Sequence, residues 1–141
     1  MREMGEGVHF WGPISIEVPH NVTIGKHCTF NRGVLIGARD RVSIGNYVRF
    51  SAYSMVQTMS LEYTEPRDGR GHVKAPVIIE DGAWICAGAM INAGVTIGRD
   101  SVVGPGSVVL QDVPPNVFVM GVPARVVREI KRADVPSEVT P

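Results

Sequence analysis

The sequence predicts an all-β fold, a parallel β-helix in which a short strand and a corner repeat every six residues. Three observations carry that reading. Ile79, Ile85, Ile91, Ile97, Val103 and Val109 follow one another at intervals of six. Four positions after each stands Ala83, Ala89, Val95, Ser101, Ser107 or Val113, all small or β-branched. Glycine (16) and proline (10) are abundant for 141 residues, a density of turns that a helical bundle would not tolerate.

The period excludes the alternatives. An α-helix turns about 100° per residue, so positions six apart lie about 240° from one another and share no face. A strand of strict alternation would point every second residue inward. A β-sandwich turns every 8–12 residues or so at irregular spacing, whereas the repeats from Ile79 run without interruption. A strand followed by a corner satisfies both features of the unit. The aliphatic residue points into a narrow interior, and the small residue marks the space left near the corner. Gly98-Arg99-Asp100 and Gly104-Pro105-Gly106 supply the backbone conformations that turning demands.

The same period runs earlier. Val18, Ile24, Phe30 and Ile36 are six apart, two extra residues intervene, and Ile44, Phe50 and Val56 resume it. Thirteen repeats at three strands per coil predict coils of 18 residues, a little over four in number. Stacked as parallel strands about 4.8 Å apart, they make a prism roughly 20 Å tall. Residues before Val18 add a partial coil or a cap. With 44% hydrophobic and 6% aromatic residues, the core is expected to be aliphatic.

Two places break the rule. The insertion near Gly37 to Ser43 reads as a bulged corner. Ile79 follows Val56 by 23 positions, and the stretch 62–76 (EYTEPRDGRGHVKAP) is polar and turn-rich. It should project from the prism as a loop. Long loops in compact solenoids are commonly functional, although a tolerated surface insertion has the same composition. The tail differs again. Asp112-Val-Pro-Pro-Asn116 ends the repeats, Val117 to Met120 is β-like, and Pro123 to Arg132 reads as a short helix. Residues 117–132 then cap the open end against edge pairing, and residues after Ala133 fray. The expected organisation is one domain, 1–141.

Composition narrows the function classes. Fourteen basic residues balance fourteen acidic ones, which argues against a nucleic-acid or anionic-membrane surface. No apolar run approaches the roughly 18 residues that span a bilayer. Met1 to Phe10 lacks the basic-then-apolar order of a secretory signal. Cys28 and Cys86 form no framework, so a reduced, cytoplasmic setting is expected.

Four segments carry a family resemblance: Ile79-Glu-Asp-Gly-Ala-Trp-Ile85, Asn92-Ala-Gly-Val-Thr-Ile-Gly98, Asp112-Val-Pro-Pro-Asn116 and Gly121-Val-Pro-Ala-Arg-Val-Val-Arg128. The chain from about Gly12 to Arg132 resembles the hexapeptide-repeat acyltransferases with a left-handed β-helix. It is most similar to their galactoside, maltose and exopolysaccharide O-acetyltransferase branch. The resemblance implies a left-handed coil, a homotrimer, and active sites between neighbouring subunits. Acetyl coenzyme A would run along each intersubunit groove as acyl donor, with no metal required, and the projecting loop of one subunit would reach over the next. The implied acceptor is a sugar or nucleotide-sugar.

Residue by residue, the resemblance implies the following. Asn31 and Trp84 match acceptor-site positions, against plainer roles in corner stabilisation and trimer packing. Ala87, Gly104 and Pro105 match stretches where the pantetheine arm passes close to the backbone. Arg125 and Arg128 match basic positions that pair with phosphates. Two departures stand out. Leu61 occupies the position of the catalytic histidine, and leucine carries no proton. Gln111 stands where the family often has a phosphate-binding lysine.

Acetyl transfer to a hydroxyl needs a base. His72, in the same loop after Gly69-Arg70-Gly71, and Glu62, beside Leu61, are the candidate replacements. His9, His20 and His27 belong to the early coils and face solvent or a neighbour. An amine acceptor would relax the requirement, since a fraction is already neutral and nucleophilic. The reading is therefore a coenzyme-A-dependent acyltransferase acting on a saccharide or amino-sugar derivative without the usual histidine. The alternative is a catalytically silent trimeric scaffold or binding protein. A metal-dependent β-helix enzyme of the carbonic-anhydrase kind would need converging histidines, and the spacing of the four present does not recommend it.

Overall fold

The computed structural model describes residues 1–64 and 66–131. The chain winds coil upon coil. Strands β1 (Glu3–Met4), β2 (His9–Phe10) and β3 (Ser15–Glu17) form the first coil. The second is β4 (Val22–Ile24), β5 (Thr29–Phe30) and β6 (Leu35–Gly37), and the third is β7 (Val42–Ile44), β8 (Arg49–Phe50) and β9 (Met55–Gln57). A hairpin, β10 (Met59–Leu61) with β11 (His72–Lys74), then leaves the prism. The fourth coil is β12 (Val77–Ile79), β13 (Trp84–Ile85) and β14 (Met90–Ile91); the fifth is β15 (Thr96–Ile97), β16 (Val102–Val103) and β17 (Val108–Val109). Strands β18 (Val117–Gly121) and β19 (Ala124–Glu129) follow.

These strands assemble into three faces of a left-handed parallel β-helix. The first face runs β1-β4-β7-β12-β15, the second β2-β5-β8-β13-β16-β18-β19, and the third β3-β6-β9-β14-β17. Every pair within them is parallel except β18 with β19. The residues of the six-residue frame fill the interior: Ile24, Phe30, Ile36, Ile79, Ile85, Ile91 and Ile97 are all essentially inaccessible. The core is aliphatic as expected, with two aromatic exceptions, Phe30 and Phe50, which are its largest fully buried side chains. Phe10, Phe30 and Phe50 stack in register along the second face, with ring centroids 5.3 and 4.9 Å apart.

The small position of the unit also has a polar use. Ser54, Ser101 and Ser107 are fully buried, yet each hydroxyl is bonded. Ser54 donates to the carbonyl of Ser51 at 2.8 Å, Ser101 donates to that of Pro114, and Ser107 accepts the N–H of Gly121 at 3.1 Å. A bonded hydroxyl is tolerated where an unpaired one would cost about 1–3 kcal/mol. Turning is achieved by left-handed backbone at the corners. Between the first and second faces His27, Tyr47, Gly82, Asp100 and Asn116 all have φ between 57° and 74°. Each donates its N–H to the coil before, at 2.8–2.9 Å.

The structure corrects four expectations. Coils number five with the start of a sixth, because the residues before Val18 form a full coil. Coils at the start hold twenty residues, Met4 pairing with Ile24 and Ile24 with Ile44, against eighteen between Ile79 and Ile97. The two-residue insertion found at Gly37 to Ser43 recurs one coil earlier, where Pro19–Asn21 forms a 3-10 turn. Val18 is therefore a corner residue with φ 55°, and Ile16, paired with Ile36, is the inward residue of that strand. Its spacing of six from Ile24 coincides with the period without belonging to it. The segment read as a helix from Pro123 is strand β19, held antiparallel on β18. The exposed edge of β18 offers N–H and C=O partners that a helix could not use. Arg132 and the fraying expected after Ala133 lie outside the described residues.

Truncating Phe30 to alanine removes the central ring of the aromatic stack. A loss of about 3–5 kcal/mol is expected, read as a fall in the urea denaturation midpoint against the native chain.

Candidate functional site

Parallel stacking places residues from successive coils side by side. On the second face Thr29, Arg49 and Trp84 are adjacent rungs pointing outward. Where that face turns into the third, Trp11, Asn31, Ser51, Cys86 and Gly104 form a second column. Each donates its N–H to the coil above, at 2.8–2.9 Å. Together Trp11, Thr29, Asn31, Arg49, Phe50, Ser51 and Trp84 line a cleft of about 410 Å³. The Trp84 indole N–H donates to Ser51 Oγ at 2.9 Å, which fixes the ring as a wall. Trp11 stands against His9, with ring centroids 4.3 Å apart. Asn31 Oδ1 accepts the N–H of Arg32 at 2.8 Å, the corner-stabilising role, while its NH₂ keeps no partner among the described residues.

The cleft thus brings Asn31 and Trp84 together and adds Trp11, Arg49 and Ser51, which the sequence reading missed. Position 49 precedes an inward Phe50 and is outward by alternation, so the frame contained that signal. Trp11 lay in the coil that was not counted.

Higher on the same edge, Ala87 and Pro105 occupy successive corners, tied by the Gly106 N–H to the Ala87 carbonyl at 2.9 Å. A Cβ added at Gly106 would meet nothing within 4 Å, so this ledge is open backbone. Gly104 has a different reason to be small. A Cβ there would lie 2.5 Å from Met120 Cγ, so glycine admits the next coil. Arg125 and Arg128 are exposed on β19, in register with Met120 and Phe118. Arg125 Nη1 donates to the Ala124 carbonyl at 3.0 Å.

The remaining predicted residues lie on another edge, between the third and first faces. Gln111 is there, exposed after β17, beside an Asp112 carboxylate that accepts the Thr96 N–H at 2.8 Å. The hairpin springs from the same edge. Thr58 anchors it: its buried hydroxyl donates to the Gly37 carbonyl at 2.6 Å, and its own carbonyl accepts the Ala75 N–H at 3.0 Å. In the hairpin register Leu61 faces His72 and Met59 faces Lys74. The Glu62 N–H reaches the Gly71 carbonyl at 2.9 Å, which makes Leu61–His72 a non-hydrogen-bonded pair. Such pairs put their side chains on one face with Cβ atoms about 4.5–5.5 Å apart.

His72 and Lys74 open onto a cleft of about 670 Å³ shared with Val18, His20, Asn21, Arg39 and Met59. Glu62 accepts both the N–H and the hydroxyl of Thr64, at 2.9 and 2.6 Å. These bonds, that from the hydroxyl foremost, hold its carboxyl below the usual carboxylate range. Among the described residues no group of three or more His, Cys, Asp or Glu is placed to hold a metal ion. Nor is any helix among the described residues long and apolar enough to cross a membrane.

Residues 76–111 match the family model for the bacterial transferase hexapeptide, six repeats. A hexapeptide-repeat-containing acetyltransferase of Vibrio cholerae, solved with acetyl coenzyme A, is 34% identical. It aligns with a TM-score of 0.84 over 92% of this chain and 71% of its own. This chain belongs to the hexapeptide-repeat acetyltransferases. Among other members of the family, the galactoside O-acetyltransferase of Escherichia coli K12 is 35% identical over 132 residues, 93% of this chain and 65% of its own length. The serine acetyltransferase of Bacillus subtilis 168 is 33% identical over 88% of this chain and 57% of its own length. The chain thus spans less than two thirds of these two relatives.

Cys86 stands between Ser51 and Gly104 in the edge column but does not present a nucleophile. Burial pushes its thiol up to about 11. Burial raises Cys28 as well, and its Sγ donates to the Gly45 carbonyl at 3.0 Å. The thiolate is the reactive form, and for Cys86 it accumulates only as pH nears that value. Iodoacetamide at pH 8 should therefore leave both cysteines unmodified in the folded protein and alkylate both after denaturation, as read by intact mass.

Proposed function

We propose that this chain transfers an acetyl group from acetyl coenzyme A to a saccharide or amino-sugar derivative, with His72 as the base. One observation carries the assignment. His72 stands across the hairpin from Leu61, on the same face and one rung's width away, so an imidazole remains available where leucine has replaced one. The family relatives support the reaction class. The Vibrio cholerae protein was solved with acetyl coenzyme A, and the Escherichia coli protein is named for a galactoside acceptor.

The step balances on these residues. An acceptor hydroxyl loses its proton to the neutral imidazole as its oxygen attacks the thioester carbonyl. The leaving thiolate then takes that proton from the imidazolium. Glu62 is the weaker choice. One of its carboxylate oxygens is engaged by Thr64, its lowered pKa makes it a poorer base, and its side chain alternates to the opposite face of the hairpin. The open ledge at Ala87 and Pro105, with Arg125 and Arg128 beyond it, fits a pantetheine arm and its phosphates.

The two halves of this site lie on different edges of one prism. Asn31 and Trp84 are on one, and His72 and Gln111 on the other. We therefore propose a homotrimer in which the hairpin of one copy reaches the cleft of the next. The third face, which separates the two edges, supports this. After Ser15 in the first coil, its outward column is apolar: Leu35, Met55, Met90 and Val108.

Leu61 and Gln111 favour a second reading, a silent trimer, since neither supplies a proton or a charge. Titration calorimetry with coenzyme A separates the two, and absence of binding at millimolar ligand removes the enzyme reading. If binding holds, His72→Ala should lower kcat/KM for O-acetyl transfer by about 10²–10⁴. Adding Leu61→His to that variant should restore part of it, while Glu62→Gln should change little. Full turnover in His72→Ala would move the base elsewhere or point to an amine acceptor.

A further inference from the structure

We infer that Arg49 recognises an anionic group, phosphate or carboxylate, on the saccharide that enters the Trp84 cleft. The inference rests on the acyl-transfer reading only for what happens after binding.

Among the described residues Arg49 is the one charged side chain lining the cleft of about 410 Å³. It sits between Thr29 and Trp84 in the outward column of the second face, and parallel pairing fixes its place there. Its backbone is committed to the ladder, the N–H donating to the Ala83 carbonyl at 3.0 Å. Its guanidinium has no hydrogen bond or ion pair among the described residues. The chain as a whole balances fourteen basic against fourteen acidic residues, so a cation left unpaired inside a cleft is a local feature and not a result of excess charge.

The other lining groups specify the rest of the ligand. Asn31 has its carbonyl oxygen spent on the Arg32 N–H, so the amide presents its NH₂. Ser51 Oγ accepts the Trp84 indole N–H, which leaves the hydroxyl proton to donate. Each of these three side chains thus offers the cleft at least one hydrogen-bond donor. A ligand that fits must offer oxygen acceptors, and opposite Arg49 a charged, planar or tetrahedral oxygen set that accepts a two-pronged guanidinium contact. The indoles of Trp11 and Trp84 supply flat apolar walls of the kind a sugar ring can lie against. A neutral saccharide would satisfy the walls, Asn31 and Ser51 but give the exposed guanidinium no charged partner. The second cleft adds the same sign. Arg39 and Lys74 line it, and among the described residues only Arg39 of the two has an acid within ion-pair distance, Glu17 at 3.9 Å.

The test uses the full chain and three probes of matched ring: a hexose, its 6-phosphate and its uronate. Binding is followed by tryptophan fluorescence without coenzyme A, and turnover by thiol release with acetyl coenzyme A. The 6-phosphate or the uronate should bind at least about tenfold tighter than the hexose, the scale of a charged hydrogen-bonded contact. Arg49→Gln should bring that ratio close to one, and Arg49→Lys should restore only part of it. Which anion gains more identifies the group. Anion-selective binding that Arg49→Gln abolishes, without turnover of any probe, upholds the inference while removing the acyl-transfer reading. Turnover with equal preference for hexose and anions overturns the inference and leaves that reading intact. An anion preference that survives Arg49→Gln also overturns it. So does a change of oligomeric state in Arg49→Gln, which would assign the guanidinium to a contact between copies.

Discussion

Parallel hydrogen bonding from coil to coil depends on each corner returning the chain to the same register. The left-handed residues between the first and second faces meet that condition. His27, Tyr47, Gly82, Asp100 and Asn116 share one backbone conformation and one bond to the coil before. Asn, Asp and His adopt it more readily than most side chains, whereas Tyr does so at some cost. Once that corner is fixed, inward residues stack into columns and outward residues into matching ones. Both the phenylalanine stack and the Thr29–Arg49–Trp84 column follow from it. A shift of one residue at a single corner would turn every later side chain to the wrong side.

The repeat was legible where nothing interrupted it. From Ile79 onward the six-residue frame and the buried residues coincide, because those coils hold no insertion. Earlier the corner between the third and first faces carries two extra residues per coil. There a valine at Val18 mimicked the period, while Met4, Phe10 and Ile16 went uncounted. At the tail, a proline followed by mixed apolar and basic residues suits a helix locally. The free edge of β18 decides otherwise, and that is a property of the fold and not of the segment.

The site was legible in part for the same reason. Trp84 lies in one of the motifs, Ile79 to Ile85, and Asn31 is reached through a single matching position. Their neighbours could not be placed, because contact across coils joins residues twenty positions apart in one place and thirty-five in another, as with Arg49 and its partners Thr29 and Trp84. Spacing that varies with corner and loop length hides adjacency from any fixed-period reading. The division of the predicted residues between two edges was equally out of reach. It appears only when the corners are assigned to faces, and it sets Gln111 and the hairpin apart from the Trp84 cleft.

The hairpin has a consequence for how such sequences are compared. An antiparallel ladder joins two positions at every rung, and a side chain contributed from either end occupies nearly the same space. On the function proposed above, Leu61 compared position by position reads as a lost histidine. Compared rung by rung, the Leu61–His72 pair still holds one imidazole, contributed by the opposite strand. Exchange across a rung moves the group about one strand spacing and leaves the backbone untouched. Chemistry can therefore pass from one strand to the other while alignment columns record only its disappearance.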